Sequence, residues 1–220
     1  MKICGAIFDV DGTLLDSMSI WDTIGGDYLR SIGYEPRENL NEVFKNMSLY
    51  QAAHYYQTEY GVTLSIDEIM SGVNAMLERY YRFETPLKSG AAELLEQLRI
   101  SGVKLCIATA TDRYLVEAAL ERCGVLSHFG EIFTCNGMGH GKDEPHIFEA
   151  ALRFLGTLKS ETIVFDDALY AIRTAKEARF PVAAVYDSHE AAQDEIRVLA
   201  DVYLKELTQL DTLRKFLPVS

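Results

Sequence analysis

The sequence predicts an α/β domain, a doubly wound parallel sheet flanked by helices, with an all-helical segment inserted into it. Two observations carry that prediction. Short apolar runs recur along the chain, each closed by a polar turn and most followed by a helical pattern; strands that alternate with helices pair in parallel through right-handed crossovers. Between residues 17 and 84 the strand-like runs vanish after a single strand, and helical periodicity takes over. Residues 1–16 and 85–220 are the expected core, and 17–84 a helical cap set into it.

The first run, Ile3-Cys4-Gly5-Ala6-Ile7-Phe8, is short and free of charge, as a strand buried on both faces requires, and it stops abruptly at Asp9-Val10-Asp11-Gly12-Thr13. The insertion is dense in tyrosine, Tyr28, Tyr55, Tyr56 and Tyr81 among them, which on helices marks packing faces. Ser65 with Glu68 three residues on is a capping-box signature ahead of a helix over 66–82. Beyond Glu84-Thr85-Pro86 the alternation resumes. Leu94, Leu95 and Leu98 share one face of a helix that ends at Gly102. A strand over 103–108 follows, then a helix carrying Leu115, Val116, Ala119, Leu120 and Cys123 to Gly124. Strands are expected over 132–135, 162–165 and 182–185, and helices over 147–155, 171–178 and 190–199.

Composition excludes several function classes. With 21 Lys+Arg against 33 Asp+Glu the net charge is −12, the wrong sign for nucleic acid or an anionic membrane surface. Hydrophobic residues at 48% supply a core, which excludes disorder as the main reading. No apolar run approaches the roughly 20 residues that span a bilayer, and acidic residues arrive too early for a secretory leader, so a cytoplasmic protein is expected. Cys4, Cys106, Cys123 and Cys135 form no CxxC pair and read as reduced thiols. The five histidines show no metal spacing and read as surface or packing residues. Nothing in the chain fixes an oligomeric state.

Four features fall at the ends of successive apolar runs: Asp9-x-Asp11-Gly12-Thr13, Thr109 closing LCIAT, Lys142 in GHGKDEPHIF, and Asp166-Asp167 closing IVFDD. In a parallel sheet these ends meet at one edge, where such folds bind ligands. The chemistry they suit is phosphoryl transfer. Carboxylates crowded together repel, and a hard divalent cation held through oxygens relieves that repulsion; Mg2+ fits, since it takes a few carboxylates with waters and phosphate oxygens. Thr109 offers a hydroxyl, Lys142 a compact positive charge, and the backbone around Ala110 N–H donors, all matched to phosphate oxygens. A first-strand carboxylate then attacks phosphorus, and Asp11 protonates the leaving oxygen and activates water.

These residues, with the flanking words FDVDGTLLDS, GK-x-x-P-x-IF and FDDALYAIRTAKEA, resemble the four motifs of the haloacid dehalogenase superfamily. The helical insert directly after the first motif is similar to the subgroup of phosphoglycolate phosphatase and β-phosphoglucomutase. The resemblance implies a Rossmann-like core and a mobile cap that closes over a small phosphorylated metabolite. It implies Asp9 as nucleophile and Mg2+ ligand, and Asp11 as general acid/base with its backbone carbonyl on the metal. Thr109, Ala110 and Lys142 would hold the phosphoryl group, and Asp167, supported by Asp166, would complete the metal site. Trp21, Lys45 and Asn46 stand where relatives contact substrate. Asp11 separates the chain from the dehalogenase branch, which lacks that aspartate; Trp21 replaces a histidine of the mutase branch, and the FKNMS setting of Lys45 resembles a phosphatase cap loop rather than a phosphonatase. Ala168 and Ala171 depart from the Ser and Gly frequent in relatives. A phosphatase is the leading expectation, with a sugar-phosphate mutase or a non-catalytic binding protein on the same scaffold as alternatives.

Overall fold

The computed structural model describes residues 2–44, 47–209 and 213. Its strands are β1 (Gly5–Phe8), β2 (Lys104–Thr109), β3 (Ile132–Thr134), β4 (Thr162–Asp166), β5 (Val182–Val185) and β6 (Val202–Leu204). They form one sheet in the order β3-β2-β1-β4-β5-β6, with every neighbouring pair parallel. The order reverses direction at β1. Crossovers therefore run to both sides, and the carboxyl ends of β1, β2 and β4 meet at the reversal, where ligands of doubly wound sheets bind.

Burial explains why these runs are strands. All four residues of β1 and all five of β4 are buried, which leaves no polar face to wet. Phe8 and Phe165, opposite each other in the register, stack with ring centroids 4.2 Å apart. Helices α5 (Ala91–Ile100) and α6 (Arg113–Arg122) pack Leu94, Leu98, Leu115 and Leu120 on one face. The other face takes Phe148 of α8 (His146–Leu155), Ile172 of α9 (Leu169–Glu177) and Ile196 of α10 (Gln193–Leu199). The short helix α7 (Cys135–Met138) follows β3 directly.

Among the described residues the regular elements of the insertion are all helices: α1 (Met18–Ser31), α2 (Leu40–Phe44), α3 (Leu49–Tyr60) and α4 (Ile66–Arg79). Both α3 and α4 begin with full capping boxes, Ser48 with Gln51 and Ser65 with Glu68. Each satisfies two orphan donors of its first turn. Tyr28 and Tyr56, both buried, pack with centroids 5.9 Å apart, and the Tyr56 hydroxyl donates to the Gly25 carbonyl at 2.9 Å. Tyrosine thus fills this small core while its hydroxyls find partners.

Several boundaries differ from expectation for physical reasons. The helix expected to Arg82 is α-helical only to Arg79 and continues as a wide π turn, Tyr80–Glu84, in which the Thr85 N–H donates to the Tyr80 carbonyl at 2.9 Å. Strand β3 ends at Thr134, whose hydroxyl accepts from the Gly137 N–H and caps α7, so Cys135 is helical. Helix α10 starts later than expected, because the Glu190 carboxylate accepts from the Ala192 N–H and the Gln193 amide donates to the Asp187 carbonyl, holding a turn there. Strand β6 goes unannounced in the sequence; three residues carry too little periodicity to read. All four cysteines are free, with Cys106 and Cys135 buried. Among the described residues no helix is long and apolar enough to cross a membrane.

Candidate active site

Asp9 follows β1 directly, and its N–H donates to the Phe165 carbonyl at 2.9 Å, tying it to the end of β4. Asp166 closes that strand and Asp167 comes next. The chain returns from β3 and α7 with Lys142, whose buried ammonium lies 2.6 Å from Asp9 Oδ1 and 2.9 Å from Asp166 Oδ2. Asp167 Oδ1 accepts from the Thr13 hydroxyl at 2.7 Å. One oxygen from each of Asp9, Asp166 and Asp167 lies within 4.8 Å of the others. Gly12 turns past this group with φ +74°, and a Cβ there would collide with the Asp167 carboxylate. Only glycine accepts that turn and that closeness together.

Three carboxylates and one ammonium in a buried pocket are electrically unbalanced. Burial, opposed by Lys142 and reinforced by Asp166 and Asp11, pushes the Asp9 carboxyl up to about 7. Asp167 is likewise pushed well above the carboxylate range, by burial first and then by Asp166 and Asp9. Burial alone would lower Lys142, but Asp166 and Asp9 outweigh it and hold its ammonium charged. An all-oxygen donor set with excess negative charge is what a hard divalent cation needs, so these residues fit the Mg2+ expected from the sequence.

Asp11 faces elsewhere. Its Oδ1 accepts from the Ser17 hydroxyl at 2.7 Å and the Tyr81 hydroxyl at 2.5 Å, and its Oδ2 accepts from the Thr111 hydroxyl at 2.6 Å. Ser17 opens the passage into the insertion and Tyr81 closes it, inside the π turn. Fully buried Tyr81 also accepts from the Trp21 indole N–H at 3.2 Å. Asp11 is therefore the point where both connections between cap and core meet the carboxyl edge of the sheet. Thr111, two residues past the end of β2, thus holds Asp11 from the core side. The sequence assigns no role to Ser17, Tyr81 or Thr13: Thr13 and Ser17 stand inside the FDVDGTLLDS stretch, Ser17 directly ahead of α1 as a helix-start residue, and Tyr81 is one of several tyrosines of the insertion.

The remaining residues are placed as follows. Thr109, the last residue of β2, is buried and its Oγ1 accepts from the Thr111 N–H at 3.2 Å. Ala110 lines a cleft of about 430 Å³ between the insertion and the core, together with Ser48, Gln51 and Met70 on one side and Asp112, Asn136 and the loop around Lys142 on the other. Asp112 accepts from Asn74 of α4 and from Asn136 at 3.1 Å, a polar bridge across the cleft that the sequence did not show. Trp21 is held at the hinge by Tyr81 rather than among the residues lining this cleft. Lys45 and Asn46 lie outside the described residues.

Comparison with known proteins extends the picture. A family model described as haloacid dehalogenase-like hydrolase matches residues 6–185. Validoxylamine A 7'-phosphate phosphatase of Streptomyces hygroscopicus subsp. limoneus is 29% identical over 205 residues, covering 93% of this chain and 94% of that protein. Hexitol phosphatase B of Escherichia coli strain K12 is 26% identical over 212 residues and covers 95% of each. The crystal structure of CbbY from Rhodobacter sphaeroides in complex with phosphate superposes with a TM-score of 0.80 at 23% identity, covering 94% of this chain and 96% of that one.

Proposed function

Since the chain belongs to the haloacid dehalogenase-like hydrolases, we propose that it is a Mg2+-dependent phosphatase that hydrolyses a small phosphomonoester through an aspartyl-phosphate on Asp9. The observation that carries this reading is the placement of Asp9, with Lys142 2.6 Å away, in a buried group of three carboxylates at the sheet edge. A carboxylate that must attack a dianionic phosphate needs its own charge and the phosphate's offset, and this group supplies one side of that balance.

In this reading Asp9, Asp167 and the Asp11 backbone carbonyl hold the cation, with Asp166 supporting the group through its contact with Lys142 at 2.9 Å. When bound, Mg2+ neutralises phosphate oxygens and keeps Asp9 ionised. Thr109, the N–H groups near Ala110, and Lys142 bind the transferring phosphoryl oxygens. Asp9 forms a bond to phosphorus as the bond to the leaving oxygen breaks, and Asp11 gives that oxygen a proton. Asp11 then takes a proton from water, which attacks phosphorus and returns Asp9 as a carboxylate with release of inorganic phosphate. Because Asp11 is held at the hinge by Ser17, Tyr81 and Thr111, its turn toward substrate accompanies cap movement, so chemistry waits on closure.

The cleft suggests a hydroxyl-rich substrate. Ser48, Gln51 and Asn136 bring hydroxyl and amide groups to its walls, and such groups recognise alcohols. Relatives named for the phosphates of validoxylamine A and of hexitols agree with it. The test is phosphate release from sugar phosphates, polyol phosphates, nucleotides, phosphoglycolate and pyridoxal phosphate, with Mg2+ and with EDTA. Selective, Mg2+-dependent release from polyol or sugar phosphates is expected; isomerised sugar phosphate without free phosphate would replace this reading with a mutase.

A further inference from the structure

We propose a second cation site, for a borderline transition metal such as Zn2+ or Ni2+, formed by His140, Glu144 and His146 on the loop that carries Lys142. Its donor set differs from the carboxylate group at the sheet edge. His140 Nδ1 lies 2.9 Å and His146 Nε2 3.1 Å from the same oxygen, Oε2 of Glu144. The two imidazoles approach with ring centroids 4.6 Å apart and planes tilted by 50°. One donor atom from each of the three residues lies within 4.8 Å of the others. Tetrahedral Zn2+, with bonds of about 2.0–2.2 Å, places its donors roughly 3.3–3.5 Å apart, so small rotations of exposed side chains bring these three to the metal.

The histidine spacing alone does not mark this site, because the third ligand is a carboxylate, in the pattern His-x3-Glu-x-His. The two imidazoles select against Mg2+ and Ca2+, which favour all-oxygen shells, and for Zn2+, Ni2+ or Cu2+. Three ligands within seven residues close short chelate loops, and Pro145 and the first turn of α8 already fix the backbone at His146. Net charge −12 adds a general attraction for cations.

The position gives the site a consequence. Buried Lys142, paired with Asp9, lies between His140 and Glu144 in the chain, and His140 and Glu144 line the mouth of the cleft. A cation bound here staples both ends of the loop and holds Lys142 and the cleft rim together.

Titration calorimetry of the full chain with Zn2+, in saturating Mg2+, tests this. One equivalent is expected to bind with micromolar affinity, and Co2+ in its place is expected to give the visible absorption of a four- or five-coordinate histidine site. His140→Gln and His146→Gln are each expected to weaken Zn2+ binding at least tenfold, and the double variant to abolish it. Thermal midpoints of the metal-free variants close to that of the parent confirm intact folds, since both side chains are exposed. Asp167→Asn is expected to leave Zn2+ binding intact. Undiminished binding in the double histidine variant, or its loss in Asp167→Asn, overturns the site; neither result depends on whether the protein turns over a phosphate ester.

Discussion

Asp11 shows how much one side chain's position carries. Three hydroxyls, from Ser17, Tyr81 and Thr111, converge on its carboxylate, and they come from the entry to the insertion, its exit, and the end of β2. Removing one leaves the carboxylate two of its three hydroxyl donors. Tyr81→Phe deletes a buried donor and takes the acceptor from the Trp21 indole, so a loss of about 1–2 kcal/mol is expected, read from thermal or urea unfolding. An unchanged midpoint would mean that Tyr81 contributes only its ring. None of this network was visible in the sequence, because Ser17, Tyr81 and Thr111 lie 6, 70 and 100 residues from Asp11 and carry no motif of their own. Asp9, Thr109 and Asp167 were legible because each ends or directly follows an apolar run whose strand assignment fixes its place, whereas Lys142 stands on the loop after α7, eight residues past β3.

At the scale of elements, one joint ties the insertion to the core, and a second ties two distant segments of the core to each other. The first is the π turn, Tyr80–Glu84, which places Tyr81 between Trp21 and Asp11. The chain contains one tryptophan, so its fluorescence reports on this joint alone. Adding orthovanadate with Mg2+ is expected to shift the emission as Asp11 turns from Tyr81 toward the bound anion, and the shift should vanish in Asp11→Ala. An emission unmoved by a tightly bound anion would separate the joint from catalysis. The second joint is the ion pair of Lys88, ahead of α5, with Asp187, after β5, at 2.7 Å and largely buried. Burial pulls the Asp187 carboxyl up, but Lys88 and the His189 hydrogen bonds outweigh it and hold it below its usual range. A depressed folded value means stability present above about pH 4 and lost as pH falls through the folded value. Asp187→Asn is expected to cost about 3–5 kcal/mol, since it removes the charge opposite Lys88 and leaves that ammonium the Tyr186 carbonyl at 2.8 Å; a smaller cost with unchanged acid lability would show the pair to be dispensable. The element boundaries that sequence missed share one cause: Thr134, Glu190 and the π turn use side-chain or widened backbone hydrogen bonds, and these leave no periodicity to read.

For the whole molecule, the sheet-edge charges link stability to pH and metal. Without a cation, Asp9 rises to about 7 and Asp167 rises with it, burial being the main cause for both. A raised folded value means that the folded state holds its protons longer than the unfolded chain, whose carboxyls titrate near about 4. The resulting stability is full below that pH and is lost as pH rises through about 7. In EDTA the unfolding midpoint is therefore expected to fall as pH rises from about 4 to about 7, and the increment given by Mg2+ to grow over the same interval. An increment independent of pH would mean that the cation binds elsewhere. The global architecture was legible from alternation alone, because a parallel sheet buried on both faces must be written as apolar runs; the insertion was legible because that alternation stops. What one chain's letters did not carry was the pairing across the cleft, such as Asn74 with Asp112, which depends on how the insertion and the core face each other.

The central claim, an aspartyl-phosphate on Asp9, is tested most directly by rapid quenching of the enzyme with a 32P-labelled substrate and Mg2+, followed by acid precipitation and hydroxylamine treatment. Acid-stable, hydroxylamine-labile label on the parent protein and none on Asp9→Asn, together with a loss of turnover of at least about 10⁴-fold in the variant, is the predicted result. Full turnover in Asp9→Asn, or turnover in the parent with no trapped label under single-turnover conditions, would contradict it.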